Sequence, residues 1–382
     1  MEHKLRILFS SNGQHTPTGY AQQMAYLLPL IRNAGYKVAI SSFYGLEGGV
    51  VNLDGVWTYP KMSDPYGVDA MLHHGNHYNA DVVISMQDIW TLDMNILKGV
   101  KRFIPIVFAD HDPINQITVD RARMAYRLIS CSKFGEQQLY NNGLYSTYIP
   151  CGVDTTIFKP RDKSFRKTIK VPDDFYLFGL VGDNKDNPPR KSFQEALDAF
   201  ALFHQRHEKS AFYFHSLPQQ AGGFRIDEYA KVLGLQDFVR FPDPYKKLFH
   251  TTKEEMSYIF SALDCYVGPS VSEGFCVPVV EAQSCGVPVI VNNFSAQPEL
   301  VKEGVTGEYC KVAYKRFTGL LSFVGVPDVR SIYDAMEKIY KADRKKMGED
   351  ARAHIIENYD IKHIFHQKWV PFLEQLEKEI YP

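Results

Sequence analysis

The sequence predicts an α/β protein built from two Rossmann-like, doubly wound parallel-sheet domains. Three observations carry that expectation. Short apolar runs alternate with amphipathic helical stretches along the chain, the pattern that produces parallel sheets. The alternation begins afresh near Tyr176, after a basic stretch, Lys159–Lys170, that is poor in large apolar residues. The chain's 382 residues, 45% hydrophobic and 23% charged, suffice for two cores of ordinary size. The domains are expected at 1–165 and 166–360, with the basic stretch as the linker between them.

The formal net charge of -1 supplies no global field to draw the chain to nucleic acid or anionic lipid. No apolar run reaches the length of a bilayer span, and no signal peptide is expected from the opening residues. Six cysteines lie at 131, 151, 265, 276, 285 and 310 without a CxxC pair. They read as reduced, buried thiols, so a cytoplasmic protein is expected, peripheral at most to a membrane surface. No metal site is expected.

In the first half, Leu5–Ser10 reads as a strand. Met24, Leu27, Leu28, Ile31 and Ala34 then recur at helical spacing, closed by Gly35, with Pro29 expected to kink the helix. Val38–Phe43 completes a βαβ unit. The loop between lacks GxGxxG but holds Gly13 and Gly19. Gly19 stands where a helix begins, so its amides suit a diphosphate, or the loop is a plain N-cap. Further strands read at Val82–Ser85, Ile104–Phe108, Leu128–Ser132 and Thr147–Ile149. Their ends carry Asp88 and Trp90, then His111 and Asp112, then Ser132 and Lys133. Ligands bind outside the carboxyl ends of parallel strands, which favours these positions. Asp88, Trp90 and Asp112 are candidates for an acceptor side. An aromatic face stacks on a sugar, although a core tryptophan is the alternative for Trp90.

In the second half, Tyr176–Val181 is a strand. The loop after it ends in Arg190-Lys191, ahead of a helix over Phe193–His207. Two cations at a helix entrance suit a departing diphosphate, and a solvated loop is the alternative. Ala211–His215 and Val239–Phe241 read as strands, Ile226–Leu233 and Glu254–Ala262 as helices. Asp264–Val267 is a buried strand, followed by Glu273 and Gly274 in a loop. The next helix has Pro278 in its first turn and Gly286 at its end. Glu281 lies inside that helix among Val279, Val280 and Ala282, where an unpaired carboxylate is costly. Hydroxyls of a sugar or ribose are one partner for it and an ordinary ion pair is another. Helices follow at Asp328–Tyr340, Asp343–Asn358 and Ile361–Ile380, the last with a core stripe of Phe365, Trp369 and Phe372.

The run from Glu273 to Glu281 resembles the E-x7-E signature of retaining GT-B glycosyltransferases, in particular glycosyltransferase family 4 (glycosyl transferases group 1). Ala282–Ile290 resembles the same family's next segment, as do Ile149–Asp154 with Phe158 and Pro160, His111-Asp112, and Pro298–Val301. The resemblance implies a GT-B fold whose domains face a central cleft, with the helix at about 361–382 packed back on the first domain. It implies transfer of a sugar from a nucleoside-diphosphate sugar to an acceptor with retention, without metal or other cofactor. Glu273, Lys191, Arg190 and His111 are then the catalytic candidates. Gly13, Gly19, Gly274, Phe275, Cys276 and Glu281 are the donor-binding ones. The family's clamp arginine is usually five residues before the lysine, where this chain has Asp186, so Arg190 is expected to substitute. The acceptor is open: a lipid-linked glycan, polysaccharide, small metabolite, protein or modified nucleobase. Rival readings are a nucleotide-sugar epimerase, a phosphorylase with a pyridoxal cofactor, and a non-catalytic sugar-binding protein.

Overall fold

The computed structural model describes residues 4–382. Its contacts divide the chain into two compact units. The first runs to Gly152 and also takes in Gly319–Ser322 and Ile361–Pro382. The second comprises Val153–Thr318 and Phe323–Asp360.

The first unit is organised around an eight-stranded sheet. In chain order its elements are β1 (Arg6–Asn12), α1 (Gly19–Asn33), β2 (Lys37–Tyr44), β3 (Val51–Leu53), β4 (Val56–Tyr59), α2 (Val68–His77), β5 (Val82–Met86), α3 (Met94–Leu97), β6 (Phe103–Val107), α4 (Gln116–Ala122), β7 (Ile129–Ser130), α5 (Lys133–Tyr140) and β8 (Thr147–Tyr148). The sheet order is β3-β4-β2-β1-β5-β6-β7-β8, and only β3 and β4 are antiparallel. That hairpin was not read from the sequence. It turns through Asp54 and Gly55, both at positive φ (51° and 81°), the backbone that the short Asp-Gly hairpin turn requires. Helix α1 is capped by Thr18, whose hydroxyl accepts from the Ala21 amide, and it runs through Pro29 without a break. The Gln23 amide of α1, buried, exchanges two hydrogen bonds with the Gly152 backbone, 2.8 and 2.9 Å.

The second unit contains α6 (Phe165–Thr168), β9 (Tyr176–Val181), α7 (Phe193–His204), β10 (Ser210–His215), α8 (Ile226–Val232), β11 (Val239–Arg240), α9 (Lys253–Ala262), β12 (Cys265–Gly268), α10 (Val277–Ser284), β13 (Val289–Asn292), β14 (Gly307–Cys310), the hairpin β15 (Val312–Phe317) and β16 (Phe323–Pro327), α11 (Val329–Lys341) and α12 (Arg344–Tyr359). Its six-stranded sheet has the order β11-β10-β9-β12-β13-β14, parallel throughout. Phenylalanines dominate its core: Phe178, Phe193, Phe200, Phe203, Phe212 and Phe214 are all fully buried. Phe178 meets Phe203 edge to face, with centroids 4.9 Å apart, a favoured aromatic geometry. Helices α10 and α12 approach at two glycines. A Cβ on Gly348 would stand 2.2 Å from the Gly286 carbonyl oxygen, so the close crossing requires glycine there.

Two expectations need correction. The basic stretch 159–170 is no solvated linker. Arg166 is buried and pairs with Asp264 at 2.5 Å, and Lys163 reaches the same carboxylate at 2.6 Å. Asp264 stands just ahead of β12 with its carboxylate inside the unit, and a buried carboxylate draws in cations. Those cations place the stretch in the second unit, and the division falls at Gly152 rather than near 165. The terminal helix is also interrupted. It comprises α13 (Ile361–Ile364), a wide π-type turn over Phe365–Trp369, and α14 (Val370–Ile380). Pro371 has no N–H to give the Gln367 carbonyl and crowds it, which opens the ladder at that turn. Phe365, Trp369 and Phe372 are buried, and Trp369 packs on Phe9 at 6.3 Å.

Each sheet has one place where the winding reverses: between β1 and β5 in the first, and between β9 and β12 in the second. The loops leaving those strands flank the crevice in which parallel α/β sheets bind ligands.

Candidate functional site

In the second unit the two crevice loops are 182–192, after β9, and 269–276, after β12. They bring three predicted residues together. Lys191 Nζ lies 2.5 Å from Glu273 Oε1, and Arg190 Nη1 lies 3.0 Å from Oε2 of the same carboxylate. Arg190 also donates to the Ser272 carbonyl at 3.0 Å, and its own carbonyl accepts from the Val271 amide at 2.9 Å. The loops are thus stitched by backbone and side chain alike. The Lys191 stem lies over Gly182, where a Cβ would meet its Cγ at 3.0 Å. Asp186, in the position of the family's usual arginine, is exposed.

Both helices that leave these loops start in an unusual way. Ser192 precedes α7 at φ +53° and Cys276 precedes α10 at φ +87°, and neither side chain caps its helix. Non-glycine residues in left-handed conformations cost about 1–3 kcal/mol each and concentrate where function maintains them. First-turn N–H groups with no side-chain cap are anion-binding positions. The two cations therefore stand between two helix starts of the same polarity.

Burial raises the Glu273 carboxyl, but Arg190 and Lys191 outweigh it and hold the group down at about 2. Ser295 accepts from the Glu273 amide at 3.0 Å, and Asn292 and Gln297 donate to the Ser270 carbonyl behind it. Ionised Glu273 thus stabilises the fold above its ordinary unfolded pKa, and that stability is lost as pH falls toward 2. The expected contribution is about 3 kcal/mol. Urea unfolding between pH 5 and 2 reads it: Glu273→Gln should flatten the acid limb, and a limb identical to the wild type would contradict the ion-pair account.

Glu281 is buried a turn and a half into α10, about 7 Å along the axis from Cys276. Its charge is felt by Lys253 at the start of α9, whose amine burial lowers and Glu281 raises back in part. The ion-pair alternative for Glu281 therefore has a candidate partner. Phe275 is buried against Tyr359, with centroids 5.9 Å apart. Cys276 is buried, and burial pushes its thiol up to about 12, so it is inert as a nucleophile. Gly274 joins Glu273 to Phe275 in the same loop. Lys247 was not foreseen. It pairs with Asp183, two residues beyond β9, at 3.3 Å, and its lysine-rich neighbourhood was the only available signal.

In the first unit, the crevice loops after β1 and β5 carry Gly13, Gly19, Asp88 and Trp90. A Cβ on Gly13 would meet His15 Cε1 at 2.8 Å and Ser42 Oγ at 2.9 Å, so a side chain there would displace both. Gly19 begins α1 with open space at its Cβ position. Asp88 accepts from the Tyr20 hydroxyl at 3.1 Å. Burial, and then Asp88, push that hydroxyl's pKa well up, so it remains a donor. Tyr20 was missed in the sequence, where only its place after Gly19 marked it. Trp90 is partly exposed on a short turn, Ile89–Thr91, and is not the core tryptophan of the alternative reading. His111 is buried, and its Nδ1 lies 2.6 Å from Asp110 Oδ1. Asp112 accepts from Gln138 Nε2 at 3.3 Å. Among the described residues no helix is long and apolar enough to cross a membrane.

Residues 186–354 match the family described as Glycosyl transferases group 1. The D-inositol 3-phosphate glycosyltransferase 2 of Catenulispora acidiphila is 29% identical over 170 residues, covering 43% of this chain and 38% of that protein. The O-antigen chain mannosyltransferase B of Escherichia coli is 43% identical over 54 residues, 14% of each chain. The chain thus spans less than half the length of the curated relatives it matches. Among solved structures, sucrose-phosphate synthase from Thermosynechococcus elongatus superposes with a TM-score of 0.76 at 17% identity, over 98% of this chain and 99% of that one. Anabaena HepE, solved in complex with UDP and glucose, gives 0.71 at 16% identity over 98% and 100%. Residues 186–354 are thus similar to the Glycosyl transferases group 1, and the whole chain takes the two-domain GT-B fold.

Proposed function

We propose that the chain is a retaining glycosyltransferase of family 4 type that takes a sugar from a nucleoside-diphosphate sugar. One observation carries the reading: Lys191 and Arg190 converge on Glu273 at the winding reversal of the second sheet, between two helix starts lacking side-chain caps. HepE, a neighbour in fold, was solved with UDP and glucose, which supports a nucleotide-sugar donor.

In this reading an acceptor hydroxyl attacks the anomeric carbon as the bond to the diphosphate oxygen breaks. The bonding pair leaves with the diphosphate, and the hydroxyl proton passes to a phosphate oxygen on the same face, which gives retention. Lys191, Arg190 and the first-turn amides of α7 and α10 take up the charge that grows on the diphosphate. Preorganised donors of this kind supply the stabilisation without a metal or other cofactor. Glu273, released from one cation, accepts from sugar hydroxyls, and Glu281 from those of the ribose. Tyr20, Asp88 and Trp90 are assigned to acceptor recognition, and His111, oriented by Asp110, to the sugar. The six buried thiols suit a reducing, cytoplasmic compartment.

A melting screen against UDP, GDP, ADP and their sugars tests the proposal, because a ligand that binds only the folded state raises its stability. The expected outcome is a rise with one nucleotide family, followed by transfer to an acceptor. Donor conversion without an acceptor would replace this reading with an epimerase.

A further inference from the structure

The amino ends of the second sheet's strands carry a recess that the proposed transfer does not use. It lies where β9 begins at Tyr176 and where Asp264 precedes β12, and it has a volume of about 300 Å³. The crevice with Lys191 and Glu273 is at the opposite ends of the same strands. Strand β9 has six residues, which separates the two places by about 20 Å.

Three cations surround one carboxylate at this recess. Asp264 Oδ1 takes Lys163 and Arg344, both at 2.6 Å. Oδ2 takes Arg166 at 2.5 Å and the Leu177 amide at 2.8 Å. Both oxygens are thereby engaged, and two positive charges are left over. At the mouth, Lys209 and Asp174 pair with each other at 2.7 Å. Asp173 is exposed there, and its backbone carbonyl accepts from Arg166. Even with that carboxylate counted, cations exceed anions by one. Lys163 and Arg344 remain about half exposed, at 43% and 46% of their side-chain surface, and each has N–H donors beyond the one given to Asp264. Burial lowers the Lys163 amine against the pull of Asp264, and Arg166 and Arg344 add a smaller push in the same direction.

A second observation is independent of charge. Tyr176 lines the recess, is 8% exposed, and its hydroxyl is buried without a hydrogen-bond partner. Tyr340 stands edge-on to it at 5.1 Å, and the Arg344 guanidinium lies over its ring at 5.7 Å. Surplus cations beside the ring walls of Tyr176 and Tyr340 describe a site for an anion with a small organic body.

We propose that this recess binds a phosphate monoester, at a site separate from the diphosphate crevice. Phosphate takes several charge-assisted hydrogen bonds at once, and the volume lies at the small end of ligand sites, suited to a single ring.

Calorimetric titration of the full chain with inorganic phosphate and with phenyl phosphate tests this. Both probes are also titrated into Lys191→Ala, which disables the crevice. Both should bind Lys191→Ala as they bind the wild type, phenyl phosphate the tighter. Arg344→Gln should weaken both about tenfold, the effect of one lost charged contact. Arg344 is half exposed at a helix start, so that variant should fold, and Lys163→Gln provides a second reading. Binding that vanishes in Lys191→Ala, or that is unchanged in both Arg344→Gln and Lys163→Gln, overturns the proposal, as does no binding of either probe.

Discussion

Lys191→Ala lowers turnover about 100-fold or more, by analogy with removing one preorganised charge stabiliser from a site that excludes water. The cause is local. Lys191 sits 2.5 Å from Glu273, with its stem packed over Gly182, so its ammonium is already aimed when a diphosphate arrives. Arg190, 3.0 Å from the same carboxylate, is left in place by the substitution, which should limit the loss of stability and keep the protein assayable. Lys191→Met separates charge from packing, because it retains the stem. Steady-state transfer, once a donor is known, should show both variants impaired alike. A Met variant that turns over at the wild-type rate would remove the ammonium from the mechanism.

Asp264→Asn has the larger effect on stability. The substitution keeps the shape but leaves Arg166, Lys163 and Arg344 facing a neutral group, and Arg166 is 2% exposed. Stranding a buried charge costs about 3–5 kcal/mol. Burial alone would raise the Asp264 carboxyl, but the three cations hold it below the usual carboxylate range. The wild-type network therefore remains intact at neutral pH. The melting transition of the second unit should fall by roughly 10 °C for a unit of this size. An unmoved midpoint would mean that the three cations are as well satisfied by water as by Asp264.

The βαβ rhythm was legible because strands such as Leu5–Ser10 and Tyr176–Val181 are continuous apolar runs with glycine or proline punctuation. The helix around Glu281 was legible for the same reason, with Pro278 at one end and Gly286 at the other. The β15–β16 hairpin was not, because Val312–Phe317 carries Lys315 and Arg316 side by side and has no buried position of its own to announce a strand. Arg190 and Lys191 could be named from the sequence as cations at a helix entrance. Their meeting with Glu273 depends on strand order, which places β9 beside β12 although α7 to α9 intervene. The left-handed backbone at Ser192 and Cys276 was not legible, because such a conformation at a non-glycine residue has no local signature. The basic stretch 159–170 misled for the opposite reason: its composition describes a linker, and only Asp264, about a hundred positions later, turns two of its charges inward.

The placement of the sulfur atoms makes the molecule its own reporter. Cys131 and Cys151 belong to the first unit and the other four to the second, and all six are buried. A thiol reagent can reach them only when the surrounding backbone opens. Labelling kinetics followed residue by residue would therefore time the opening of each half separately, with no probe added to the chain.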